Sequence, residues 1–233
     1  MTGTLNALLV AVVVFVGGHF LLSGAPLRQA LIRRLGEQGF RGFYSLVAGG
    51  ALVWMLLAYR DAPYLELWPA SPALAWIPVL VMPISLFLIV AGVTTRSPMA
   101  VGGEALATTG SGDLSPGILR ITRHPFLWGT ALWALSHMVV NGDAASLVLM
   151  GGILVLSLGG MHHIDQRREA SLGSAWGPIV LTTSLLPFVA LAQHRTTMDW
   201  KGIGWWRPAV ALALYAAILQ LHELVFGVSA LPA

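Results

Sequence analysis

Seven histidines carry the chemistry this chain can do: His19, His124, His137, His162, His163, His194 and His222. The richest stretch is Ile121-Thr-Arg-His-Pro-Phe-Leu-Trp-Gly-Thr-Ala-Leu-Trp-Ala-Leu-Ser-His137, with His124 at the mouth of a long apolar run and His137 deep inside it. An ionisable side chain in hydrocarbon is costly, so a histidine at such a position points first to a functional site. His194 sits among Gln193, Arg195 and Thr196 and reads as a solvated loop residue. His162 and His163 precede Asp165-Gln-Arg-Arg-Glu169 at the polar end of another apolar run, where snorkelling into headgroups accounts for them. His19, His137 and His222 lie within apolar runs, with Glu223 the one adjacent charge.

Neutral imidazole is the commonest metal ligand in proteins. For any one of these three, a hydrogen bond to a carbonyl or hydroxyl between helices is the plain alternative. Three in one small chain point instead to a cofactor held between helices. The apolar runs lack the carboxylates that a zinc or di-iron site would use. The chain has no cysteine, which excludes disulfides, thiolate haem ligands, iron–sulfur clusters and covalent c-type haem. A b-type haem between two histidines meets both constraints.

The elements that position these residues are membrane spans. Of 233 residues, 56% are hydrophobic and 10% charged, against about 25% charged in soluble domains. The basic residues therefore orient the chain in a bilayer, and nucleic acid is not expected as a partner. A span needs about 20 mostly apolar residues. Six are expected, at Leu5–Ser23, Phe43–Tyr59, Leu74–Thr94, Pro125–Val140 (or from Ile118), Ala144–Ile164 and Pro208–Val228. The fold class expected is an all-α, polytopic integral membrane helical bundle forming one domain over residues 1–233, with no repeat or linker. Residues 1–6 carry no Lys or Arg, so the first run is expected to stay as a span rather than serve as a cleaved signal.

Twelve of the thirteen basic residues fall on one side of these spans, with Arg60 alone on the other. The positive-inside rule then sets both termini in the periplasm of a bacterial inner membrane. Pro178–Ala192 is apolar but short and interrupted by Pro187; it reads as an interfacial or re-entrant segment, because a crossing there would move Arg195, Lys201 and Arg207 outside. Trp68, Trp76, Trp205 and Trp206 suit aromatic belts, and Asn141-Gly-Asp143 a tight turn. The glycine pairs 17–18, 49–50, 151–152 and 159–160 suit close helix packing. Gly17-Gly18 also leaves room for a flat ligand beside His19.

Depth separates the histidines. His19 lies about four residues from the cytoplasmic end of its span and His137 near the outer end of its own, a difference of roughly 10–15 Å at 1.5 Å per residue. His222 falls near the depth of His137, so helix rise alone pairs His137 with His222.

The chain resembles the NnrU family of bacterial membrane proteins and, through it, the 15-cis-zeta-carotene isomerases of plants and cyanobacteria. The likeness runs through Gly18-His19, the basic Arg28–Phe43 loop, Ile121-Thr-Arg-His-Pro125, Trp133-Ala-Leu-Ser-His137, Arg167-Arg168, Thr183-Ser-Leu-Leu-Pro-Phe188 and Leu221-His222. It implies a haem b protein with His19 and His137 as axial ligands, leaving His222 and His124 as alternatives. It also implies a link to nitrite and nitric oxide respiration, through redox, sensing or an accessory role. The related alternative it implies is a haem-dependent 15-cis-zeta-carotene isomerase-like enzyme acting on a poly-cis carotenoid. Ala134 stands where the isomerases carry a cysteine three residues before the second histidine, so a thiolate ligand is out of reach here. A more distant likeness joins Arg123-His-Pro-Phe-Leu-Trp-Gly129, Glu169, Leu172-Gly173 and Trp176 to the isoprenylcysteine carboxyl methyltransferases, which implies S-adenosylmethionine as a third option; their tyrosine after Arg-His-Pro is Leu127 here.

Overall fold

A computed structural model describes residues 3–69, 71–108 and 113–231. Among them the structure is helical, with no strand beyond one isolated bridge between Glu66 and Asp143. The helices are α1 (Leu5–Ser23), α2 (Ala25–Arg60), α3 (Pro72–Thr94), α4 (Glu104–Thr108), α5 (Pro125–Val140), α6 (Ala144–Leu172), α7 (Trp176–Thr182), α8 (Val189–Ala192), α9 (Trp200–Ile203) and α10 (Trp206–Phe226), with single 3₁₀ turns at Gly117–Arg120 and Gly173–Ala175. Five are long and apolar enough to cross a bilayer: α1, α2, α3, the run Ala144–Thr182 that begins with α6, and α10. The protein is thus a polytopic helical membrane protein. The sixth expected span, α5, has 16 residues and is about 24 Å long. That is shorter than the roughly 30 Å hydrocarbon core. Pro178–Ala192 is not one helix. It holds the end of α7, an extended break at Thr183 and the four-residue α8, which follows Phe188 in the left-handed region (φ 67°).

The chain forms two compact units. The first comprises Met1–Leu74 with Ala134–Leu156. Its frame is α1 against α2. Thr4 opens α1, its hydroxyl accepting from the Ala7 N–H at 3.1 Å. Extended Gly24 (ψ 137°) ends α1, and Pro26 in the first turn of α2 restarts the chain as helix. α1 buries Leu8, Ala11, Val12 and Phe15; α2 buries Phe40, Met55 and Ala58. α2 bends sharply at Gly36, whose φ of 71° and ψ of 169° lie in a region open essentially only to glycine. The Arg28–Phe43 segment, expected as a loop, is therefore two helical pieces about that bend. The glycine pairs divide. A Cβ on Gly152 would collide with Val12, so that glycine permits a close helix approach. Gly17, Gly18, Gly49, Gly50 and Gly151 meet nothing within 4 Å, so helix packing does not account for them among the described residues.

The second unit comprises Ala75–Trp133 with Ser157–Ala233. Gly92 packs on the backbone of Phe126, and Gly129 on Ile89 and the Ser85 carbonyl, so α3 and the start of α5 meet at backbone distance. Pro83 lacks an N–H and leaves the Val79 carbonyl without its donor four residues on. The Tyr215 hydroxyl of α10 donates to that carbonyl at 2.8 Å. The 183–188 run folds onto the mouth of α5. Thr122 Oγ1 and Trp128 Nε1 both donate to the Leu185 carbonyl, at 2.9 and 2.8 Å, and Phe188 N donates to Ile121 O at 2.8 Å.

Candidate functional site

In the first unit, His19 lies about four-fifths of the way along α1. Its Nδ1 is 2.7 Å from the Phe15 carbonyl. A carbonyl only accepts, so Nδ1 carries a proton, and whenever the ring is neutral the lone pair lies on Nε2. This is how a ligating histidine is usually prepared, with the second ring nitrogen tied to a carbonyl. Phe15 and Tyr44 stand edge-on to the imidazole, with centroids at 4.5 and 5.6 Å. His19 lines a shallow groove between α1 and α2, with Val14, Gly18, Leu22, Tyr44 and Val47 among its walls. Tyr44 is its single hydroxyl; the other neighbours are apolar. Beside it, a Cβ at Gly17 or Gly18 would meet nothing within 4 Å.

The remaining candidates sit elsewhere. His137 is half-buried in α5, in the same unit as His19, with Nδ1 3.4 Å from Ser136 Oγ; it is not among the residues lining the His19 groove. His222 lies in the second unit, its Nδ1 donating to the Val228 carbonyl at 2.8 Å and its ring against Phe226 at 4.9 Å. Its partner is thus a backbone group beyond the helix end. His124 is buried, and its Nε2 is 2.7 Å from Asp165 Oδ1. That nitrogen is committed within the protein, which leaves Nδ1 as its one remaining ring position. His162 is exposed and takes a hydrogen bond from Gln166 at 2.8 Å; His194 is an exposed loop residue with φ 54°. Among the described residues no three His, Cys, Asp or Glu side chains cluster as a metal site.

The second unit holds a charged cluster that composition alone did not reveal. Asp165 of α6 accepts from Arg123 Nε at 2.9 Å, from Arg123 Nη2 at 2.5 Å and from His124 Nε2. The Arg123 guanidinium also lies over the Trp176 ring at 5.8 Å. Arg-His-Pro therefore acts as a clasp from the start of α5 to α6, with both side chains occupied. One turn further on, Arg168 is 1% exposed; it donates to the carbonyls of Met99 and Ala100 and pairs with Glu104. Asp165 and Glu104 are far in sequence from their partners, and neither has a local pattern that announces the pairing. Nearer the polar surface, the Asp199 carboxylate accepts from the backbone N–H groups of Gly202 and Gly117, and these hold its pKa below the usual range. Asp113 is also lowered: partial burial pushes it up, but the Ser115 N–H and the Arg120 guanidinium outweigh that.

The helices and the prepared histidine define the class, a polytopic membrane protein with imidazole as its strongest available ligand. The NnrU protein family matches residues 7–230, and the chain belongs to it. It is similar to the chloroplastic 15-cis-zeta-carotene isomerase of Zea mays, at 33% identity over 79 residues, which is 34% of this chain and 22% of the isomerase. The Arabidopsis thaliana isomerase is 32% identical over 82 residues, 35% of this chain and 22% of its own length. The matched part spans under a quarter of either relative. No solved structure matches the chain.

Proposed function

We propose that this protein holds a haem b within the bilayer, with His19 and His137 as axial ligands, and serves nitrogen-oxide respiration in a redox, sensing or accessory role. The observation that carries the reading is the His19 ring. Its Nδ1–H is fixed on Phe15 O and its Nε2 lone pair is left for a ligand, beside a groove with apolar walls. The donor set fits the group, since two imidazoles need no cysteine and the chain has none. Bound there, haem would supply a one-electron redox centre. The protein's own part is to fix the imidazole tautomer, wall off water with Phe15, Leu22 and Val47, and leave space at Gly17 and Gly18. The link to nitrogen oxides rests on family membership. The test is the visible spectrum of the detergent-purified protein: a Soret band that is lost in His19→Ala and His137→Ala supports the reading, and its absence from wild-type protein made in haem-replete cells refutes it.

The likeness to two plant isomerases favours a second reading, a cis–trans isomerase of a poly-cis carotenoid. Ala134, wholly buried, offers no thiolate beside His137. Conversion of 15-cis-zeta-carotene by the haem-loaded protein separates the two readings.

A further inference from the structure

The bend at Gly36 does something a straight helix cannot. Arg28 and Phe40 are twelve residues apart on α2, a rise of about 18 Å in unbroken helix. In the bent α2 the Arg28 guanidinium lies over the Phe40 ring at 5.5 Å. Phe40 in turn is 6.0 Å from the Tyr44 ring, and Tyr44 is 5.6 Å from His19. A continuous line of rings therefore joins the imidazole in the groove to one cation. Arg28 is half-buried, whereas Arg33, Arg34 and Arg41 are exposed. Its nearest carboxylate, Glu37, is 3.9 Å away and is held closer by Arg41, at 3.2 Å. Two guanidiniums share one carboxylate, so the far end of this line of rings carries a net positive charge.

We propose that Arg28 is the anchor for the propionate carboxylates of haem held at His19. This rests on the haem reading above and assigns the polar end of the same site. A porphyrin beside His19 has an apolar body that suits the ring-lined groove, and two carboxylates on one edge that need a cation at its end. Arg suits that task, because its planar fork pairs with carboxylates through two parallel hydrogen bonds. Stacking on Phe40 holds the fork in place before the ligand arrives. Gly36 sets the geometry, since any other residue at its φ and ψ is strained.

The test compares haem with haem dimethyl ester, whose propionates are uncharged, by Soret titration of the full-length apoprotein in detergent. Wild type should bind the free acid about tenfold tighter than the ester, the scale of one well-formed charge-assisted pair. Arg28→Gln should lose that preference by weakening the acid alone, and Arg28→Lys should keep part of it. Gly36→Ala, with Arg28 intact but displaced, should also lose preference for the acid. Equal weakening of acid and ester in Arg28→Gln would mean that Arg28 serves the fold alone and overturns the assignment. So would an unchanged preference, the result expected if Arg28 holds a phospholipid phosphate instead. Undiminished haem binding in His19→Ala is a different failure, that of the haem reading itself.

Discussion

At the residue scale, the informative quantity is which nitrogen of each histidine is already used. His19 spends Nδ1 on a backbone carbonyl and keeps Nε2; His124 spends Nε2 on Asp165. The sequence pointed to both residues because a histidine in an apolar run is conspicuous. It could not assign their nitrogens, because the partners are a carbonyl one turn back and a carboxylate on another helix. Tyr44 and Asp165 went unnoticed for the same reason: nothing near them in the chain marks the residue they meet. Tyr215 is a similar case with a measurable consequence. Its hydroxyl satisfies the carbonyl that Pro83 strips of a donor, so Tyr215→Phe leaves that oxygen without this partner. The expected loss is about 0.5–2 kcal/mol, near what interhelical hydrogen bonds in membranes contribute. Denaturant titration of the variant in detergent micelles measures it, and a change below the noise would show that the carbonyl finds another donor.

At the element scale, apolar length located α1, α3, α5, α10 and the start of α6 closely, because caps and prolines fall where the hydrophobic runs begin; α6 itself continues past the expected end at Ile164 to Leu172, through polar residues that a hydropathy reading leaves out. It missed that α2 starts at Ala25, some eighteen residues before the span expected at Phe43. The intervening residues mix Arg28, Arg33, Arg34, Glu37 and Arg41 with apolar ones, and their charge reads as a loop; the helical spacing of Leu27, Leu31 and Leu35 was there to be read, but nothing in it marks the bend at Gly36. The reading of Pro178–Ala192 as too short to cross agrees with the two short helices there, while its fold onto Ile121–Trp128 depends on Leu185 and Ser184 carbonyls that any sequence would offer. α9 illustrates an element with a pH limit. Asp199 caps it and also ties Gly117, and both bonds favour the carboxylate. Its folded pKa is depressed, so its contribution is complete above the unfolded value of about 3.9 and disappears as pH falls through the folded one. Asp199→Asn should therefore melt below wild type at about pH 6, with the gap closing as both are acidified below about pH 4. A gap that stays constant across that range would contradict the charge-based account.

At the scale of the whole molecule, the five long helices alone would leave the termini on opposite sides of the bilayer, and α5 decides the parity. The basic residues favour six crossings with both ends in the periplasm. Reporter fusions at the C-terminus should accordingly read periplasmic and fusions at Gly102 cytoplasmic; a cytoplasmic C-terminus beside a periplasmic N-terminus would mean that α5 does not cross. Family membership was legible in the order of motifs along the chain, whereas the division into two compact units was not, since it cuts through α3, α5 and α6 at residues of unremarkable type. Helix rise paired His137 with His222, and resemblance paired it with His19. The observation behind the second choice is that His19 lines an apolar groove with its Nδ1 on the Phe15 carbonyl. The most direct measurement is haem stoichiometry and spin state in detergent-purified wild type, His19→Ala and His222→Ala, with melting temperature recorded alongside. The account predicts a low-spin, bis-imidazole spectrum in wild type, loss of haem from His19→Ala in a protein that still folds, and retention in His222→Ala. Full haem in His19→Ala, with loss confined to His222→Ala, would contradict it.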